Sequence, residues 1–124
     1  MSKIICNSVE FIFKNEILSM KHGEEPVLID FGEWEKIDTA ERPVYQSSVK
    51  QNDAGPTNEE TVTVKANHNN INELLMKYCG FYTVLRMNTD KETFYVGNLE
   101  YPCKMEFTSD KIFDNYTFKA VSPA

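Results

Sequence analysis

Strict alternation of apolar and polar side chains narrows the fold of this chain more than any other feature. In Thr61-Val62-Thr63-Val64-Lys65 the valines face one way and the threonines the other. Only an extended strand separates neighbours so cleanly. Residues 3–14 carry the same period, which sets Ile5, Val9, Phe11 and Phe13 against Cys6, Ser8, Glu10 and Lys14. Near the end of the chain Tyr116, Phe118 and Ala120 share a face opposite Thr117 and Lys119. Further β-prone runs are Val27–Phe31, Val44–Val49, Phe81–Met87, Glu92–Gly97 and Met105–Phe107.

Turn formers separate these runs, as in His22-Gly23-Glu24-Glu25-Pro26, Asn88-Thr89-Asp90-Lys91 and Ser109-Asp110-Lys111. Short strands with turn signals every 8–12 residues or so point to a sandwich or small barrel. One stretch has the helical period: Ile71, Leu74, Leu75 and Tyr78 fall on one helix face. Asn70 and Glu73 form a capping pair before it, and Gly80 suits its end. The expected fold is therefore mainly β (α+β by strict count). It is an antiparallel β-sandwich or small barrel, with one short helix at about 71–79 packed on the sheet. Residues 15–43 fit two strands or a strand and a helix equally.

With 124 residues the chain suits a single domain, 1–124. Its 15 aromatic residues supply large buried area. Between Val49 and Thr61 lie mostly turn formers and charges, with only Ala54 and Pro56 as non-polar side chains. That segment reads as a hairpin with an exposed polar tip at about 50–60.

The net charge of −6 is unevenly placed. Residues 1–62 hold 12 acids and 6 bases, while residues 63–124 hold 7 of each. Arg42 and Arg86 are the only arginines and no basic run exists, so the electrostatic footprint of a nucleic-acid binder is missing. No run approaches the roughly 20 apolar residues of a membrane helix. Met1–Cys6 is too short an apolar run for a signal peptide. Cys6, Cys79 and Cys103 are odd in number and widely spaced, and read as small buried hydrophobes in a reducing compartment.

Motifs for catalysis are sparse. There is no glycine-rich phosphate loop, nucleophile elbow or Cys-x-x-Cys pair. His22 and His68 sit in polar stretches without ligand-spaced partners, and read as exposed loop histidines. The carboxylate pairs Glu24/Glu25, Glu33/Glu35 and Glu59/Glu60 fall in hydrophilic segments and read as solvated faces. Trp34, the only tryptophan, is either an anchor for a partner or a half-buried packing residue.

From about residue 44 onward the order of elements resembles small structural proteins of tailed-phage and prophage morphogenesis clusters. The residues that carry it begin with Asp53-Ala54-Gly55-Pro56, Thr61-Val62-Thr63-Val64 and Ile71-Asn72-Glu73-Leu74-Leu75. They continue through Tyr82-Thr83-Val84-Leu85, Phe94-Tyr95-Val96-Gly97-Asn98 and Tyr101-Pro102. Asn115-Tyr116-Thr117-Phe118-Lys119-Ala120 and Ser122-Pro123-Ala124 complete it.

The resemblance implies a non-enzymatic neck or tail subunit without cofactor or metal. Its partners would be further copies of itself, in a ring or stack, and other virion proteins. It would reside in the bacterial cytoplasm during assembly and then in the virion. Asp53, Gly55, Pro56 and Trp34 are the expected interaction residues. The alternative is a small β-rich domain that binds a small ligand in an aromatic-lined cavity, with Phe81, Tyr82, Phe94, Tyr95 and Phe118 as lining.

Overall fold

The computed structural model describes residues 2–21, 23–30, 32–51, 53–67, 82–109 and 113–123. The expected helix at 71–79, His22, His68, Cys79 and Phe81 lie outside the described residues. The fold is mainly β and antiparallel. The strands are β1 (Ser2–Ile5), β2 (Ser8–Phe13), β3 (Ile17–Ser19), β4 (Val27–Leu28), β5 (Glu35–Lys36), β6 (Val44–Lys50), β7 (Thr57–Asn67), β8 (Tyr82–Asn88), β9 (Thr93–Val96), β10 (Cys103–Ser109) and β11 (Phe113–Pro123). A 3-10 turn, Lys14–Glu16, links β2 to β3.

The large sheet runs β1-β6-β7-β11-β10-β8-β2-β5, with β9 also on β8. Its ends are joined through the chain, because β1 and β2 are separated only by Cys6 and Asn7. Cys6 N–H donates to Pro43 O at 2.8 Å on the β6 side, and Asn7 N–H donates to Asn88 O at 2.7 Å on the β8 side. The sheet thus closes on itself into a small barrel, which removes most of the free strand edge. The stretch after β5 patches the gap between β2 and β7. Ile37 N–H donates to Val9 O at 3.1 Å, and Ala40 N–H donates to Lys65 O at 2.8 Å.

Alternation decides what fills the interior. Val9 and Phe11, Val62, Val64 and Ala66, and Leu85 and Met87 enter from three walls. Val96, Cys103, Met105, Tyr116 and Phe118 enter from the others. These are the faces that the period-two pattern selects, except in the first strand. There Cys6 is 0% exposed and Ile5 is 58% exposed, the reverse of the expected order. Ile4 and Cys6 face inward on even positions, whereas Val9, Phe11 and Phe13 do so on odd ones. The frame slips by one residue at Cys6-Asn7, where the strand changes partners, as a bulge does.

The β2–β8 wall is covered on its outer side as well. The two-stranded sheet of β3 and β4 lies there, and Ile12, Ile17 and Val84 are buried beneath Met20, Leu28, Trp34 and Leu99. Among the described residues of 15–43 the elements are the short strands β3, β4 and β5 and the end of the 3-10 turn.

The polar hairpin also departs from expectation. Thr57–Glu60 belong to β7 and pair on both sides, for example Lys50↔Thr57 and Pro123↔Thr57. The connection between the two strands shrinks to the segment from Lys50 to Thr57. Threonine and glutamate gain strand partners here because β11 runs on alongside them, which local sequence does not encode.

Candidate functional site

Three surfaces gather side chains with chemistry. The first is the outer face of β2 and β8. Glu10 and Arg86 are directly paired across these strands. Arg86 Nε donates to Glu10 Oε1 at 3.0 Å, and its second nitrogen donates to Oε2. Asn88 Nδ2 donates to Ser8 Oγ at 3.1 Å and to Glu10 Oε1 at 2.9 Å. The Trp34 ring covers the guanidinium at 4.6 Å and meets Tyr95 at 6.0 Å. The hydrogen bond from Arg86 holds the Glu10 carboxyl below its ordinary range. Burial, with the charge of Glu25 nearby, pushes the Tyr95 phenol up. This arrangement orders a planar cation under an indole and spends its donors internally. Trp34 is thus half-buried and engaged within its own fold.

The second surface is the end of the hairpin. Beyond Ser47 on β6 and Lys119 on β11, the three strands β6, β7 and β11 have no further neighbour among the described residues. They extend past the barrel wall as a flap. Alternation splits the two acids of β7. Glu59 lies between Lys50 Nζ at 3.1 Å and Lys119 Nζ at 3.2 Å, and those hydrogen bonds pull its carboxyl down. Glu60 accepts the Tyr45 hydroxyl at 2.8 Å. Burial, and then that hydrogen bond, raise the Tyr45 phenol to about 12. Glu59 and Glu60 are partnered, in contrast to the solvated pair read from the sequence. Asp53 and Pro56 are exposed at the tip, and Gly55 is half-buried with a positive φ of 111°. Trp34 sits on a different element, so the four expected interaction residues fall in two places.

The third surface is a groove of about 780 Å³ at the end of β2. β5 is two residues long and pairs with Glu10 and Phe11, and the groove opens beside the Phe13 end of β2. Phe11 and Phe13 meet edge to face at 5.4 Å and form the floor together with Ile17 and Leu99. Lys14, Glu16, Glu33 and Glu35 line it as charged groups, and Tyr82 adds an exposed ring. Lys14 Nζ lies 5.9 Å from the centroid of that ring. Glu33 and Glu35 face the groove while Trp34 between them turns onto Arg86. Of the aromatics expected to line a ligand cavity, Tyr82 alone does so among the described residues. Phe118 is fully buried, Phe94 packs on Tyr45, and Tyr95 meets Trp34.

The described thiols are interior. Cys6 and Cys103 are buried and free, and burial pushes both thiols up, away from the reactive thiolate. Cys103 Sγ donates to Val96 O at 3.4 Å. Among the described residues no group of three or more His, Cys, Asp or Glu is placed to hold a metal ion, and no helix is long and apolar enough to cross a membrane. The chain matches no family model, no curated protein and no solved structure.

Proposed function

We propose that this chain is a non-enzymatic structural subunit of a tailed-phage or prophage particle, of neck or tail type. It works through contacts with copies of itself and with other virion proteins. The observation that carries the reading is the location of its exposed apolar side chains. Ile5 lies on β1, Leu18 and Val27 on the outer ribbon, and Val49 and Val121 on the flap. Leu18 and Val27 are 68% and 53% exposed while their neighbours Ile17 and Leu28 face the core side.

A barrel that buries the apolar side chains of its inner face, yet leaves aliphatic side chains exposed along strand ends and edges, is suited to neighbours that cover them. The order of elements from residue 44 to 124 supports the phage assignment in particular. Light scattering at rising concentration, alone and with the proteins encoded beside it, tests the proposal. Rings, stacks or a stable co-complex are the expected outcome. A chain that stays monomeric with neighbouring neck and tail proteins present, or whose neighbouring reading frames encode no portal, capsid or tail protein, overturns it.

A further inference from the structure

We infer that the groove at the end of β2 is a docking site for a basic segment of a partner polypeptide, one in which an aliphatic or aromatic side chain is flanked by lysine or arginine. The inference is independent of the virion reading, since it rests on the groove of the isolated chain. Its floor is apolar: Phe11 and Phe13 in edge-to-face contact, extended by Ile17 and Leu99. Burying an aliphatic or aromatic side chain there removes apolar area on both partners from water.

Its rim is acidic. Glu16, Glu33 and Glu35 outnumber the single cation, Lys14. The rim also belongs to the half of the chain that holds the entire acid excess. An anionic or neutral occupant would leave these carboxylates facing low-dielectric apolar surface without a counter-charge, whereas a basic one supplies it. Tyr82 shows how a cation is received: the ammonium of Lys14 already lies over its ring at 5.9 Å. A partner cation would meet Glu33 and Glu35 on either side of Trp34, whose ring covers Arg86 at 4.6 Å.

The test uses fluorescence anisotropy with a labelled, capped hexapeptide of alternating lysine and phenylalanine. Two controls accompany it: a twin with glutamate for lysine, and a twin with serine for phenylalanine. Saturable binding of the first peptide alone is expected. The double variant Glu33→Gln/Glu35→Gln should weaken it about fivefold at low salt, as loss of two exposed charge pairs does. Glu24→Gln/Glu92→Gln removes the same charge at exposed positions that do not line the groove, and should leave binding within about twofold. Tyr82→Ala should weaken it comparably to the groove double variant. Equal binding of the serine or glutamate twin overturns the inference, and so does equal weakening by the two double variants. Failure of the peptide where octylammonium binds and shifts the Trp34 emission overturns it too, and assigns the groove to small amphiphilic cations.

Discussion

Arg86 and Glu10 face each other across β8 and β2 and join through two parallel hydrogen bonds. Both side chains are largely covered, at 23% and 20% exposed, so the pair works in a lower dielectric than an ordinary surface bridge. Arg86→Met should remove the fork and the cation under Trp34 together, at a loss of about 1–2 kcal/mol. Glu10→Gln keeps one acceptor and should lose less. The acid limb follows from the sign of the shift. The Glu10 carboxyl lies lower in the fold than in the unfolded chain. Its contribution is therefore complete above about pH 4.3 and disappears as pH falls through the folded value. Urea unfolding followed by Trp34 emission should show a shallower acid decline in Glu10→Gln than in the parent.

The alkaline limb belongs to Tyr45. Its hydroxyl donates to Glu60, and its phenol is raised to about 12. Between pH 10 and 12 the unfolded chain gives up this proton and the folded chain keeps it. The Tyr45 contribution is complete below pH 10 and is lost as pH rises toward 12. Screening at this partly exposed position holds the effect to about 1–2 kcal/mol. Tyr45→Phe should be less stable at neutral pH yet flatter above pH 10. Stability curves measured at pH 8, 10 and 11.5 check this, and parallel slopes for the two proteins would refute it.

Strand positions were legible because period two is a local property. Val62 and Val64, or Tyr116 and Phe118, choose the interior without help from distant residues. The frame slip at Cys6-Asn7 was not legible, since it depends on which strand lies on each side, Pro43 or Asn88. The extension of β7 through Glu60 was hidden for the same reason: Thr57 and Asn58 gain β11 as a neighbour only in three dimensions. The contact between Glu10 and Arg86 spans 76 positions and leaves no periodic trace. The groove was illegible because its lining comes from distant parts of the chain, from Phe11 to Ile17, Glu33 and Glu35, Tyr82 and Leu99, which meet only in three dimensions.

Gly97 marks the point where the chain leaves β9 before re-entering the wall as β10. It has φ +82°, and a Cβ added there would meet Cys103 Sγ at 3.0 Å and Cys103 N at 3.1 Å. The following turn is fixed by Asn98, whose Oδ1 accepts from the N–H groups of Glu100 at 2.9 Å and Tyr101 at 2.8 Å. Gly97→Ala combines left-handed strain with a backbone collision and should cost about 2–3 kcal/mol. Gly55→Ala, at φ +111° but with nothing within 4 Å, should cost about 1 kcal/mol. Equal losses in chemical denaturation would show that the close approach to Cys103 has no consequence.

The flap separates a folding role from a contact role. Lys50 and Thr57 are directly paired, so two residues suffice to join them as a tight hairpin. Replacing residues 51–56 by Asn-Gly should keep the Tyr45–Glu60 and Lys50–Glu59 contacts and leave the melting temperature within a few degrees. Deleting residues 51–60 removes four residues of β7 that pair with both β6 and β11, and takes Glu59 from Lys119. That deletion should lower the melting temperature by 10 °C or more, roughly 2 kcal/mol in a domain of this size. Under the assembly proposal the Asn-Gly variant should fold normally and still form weaker oligomers, because only exposed Asp53 and Pro56 and half-buried Gly55 are lost among the expected contact residues. Thermal unfolding separates the two variants, and light scattering then reads whether the tip acts in assembly. Oligomers of unchanged stability in the Asn-Gly variant would exclude the tip and move the contact to Val49, Val121 and the outer ribbon.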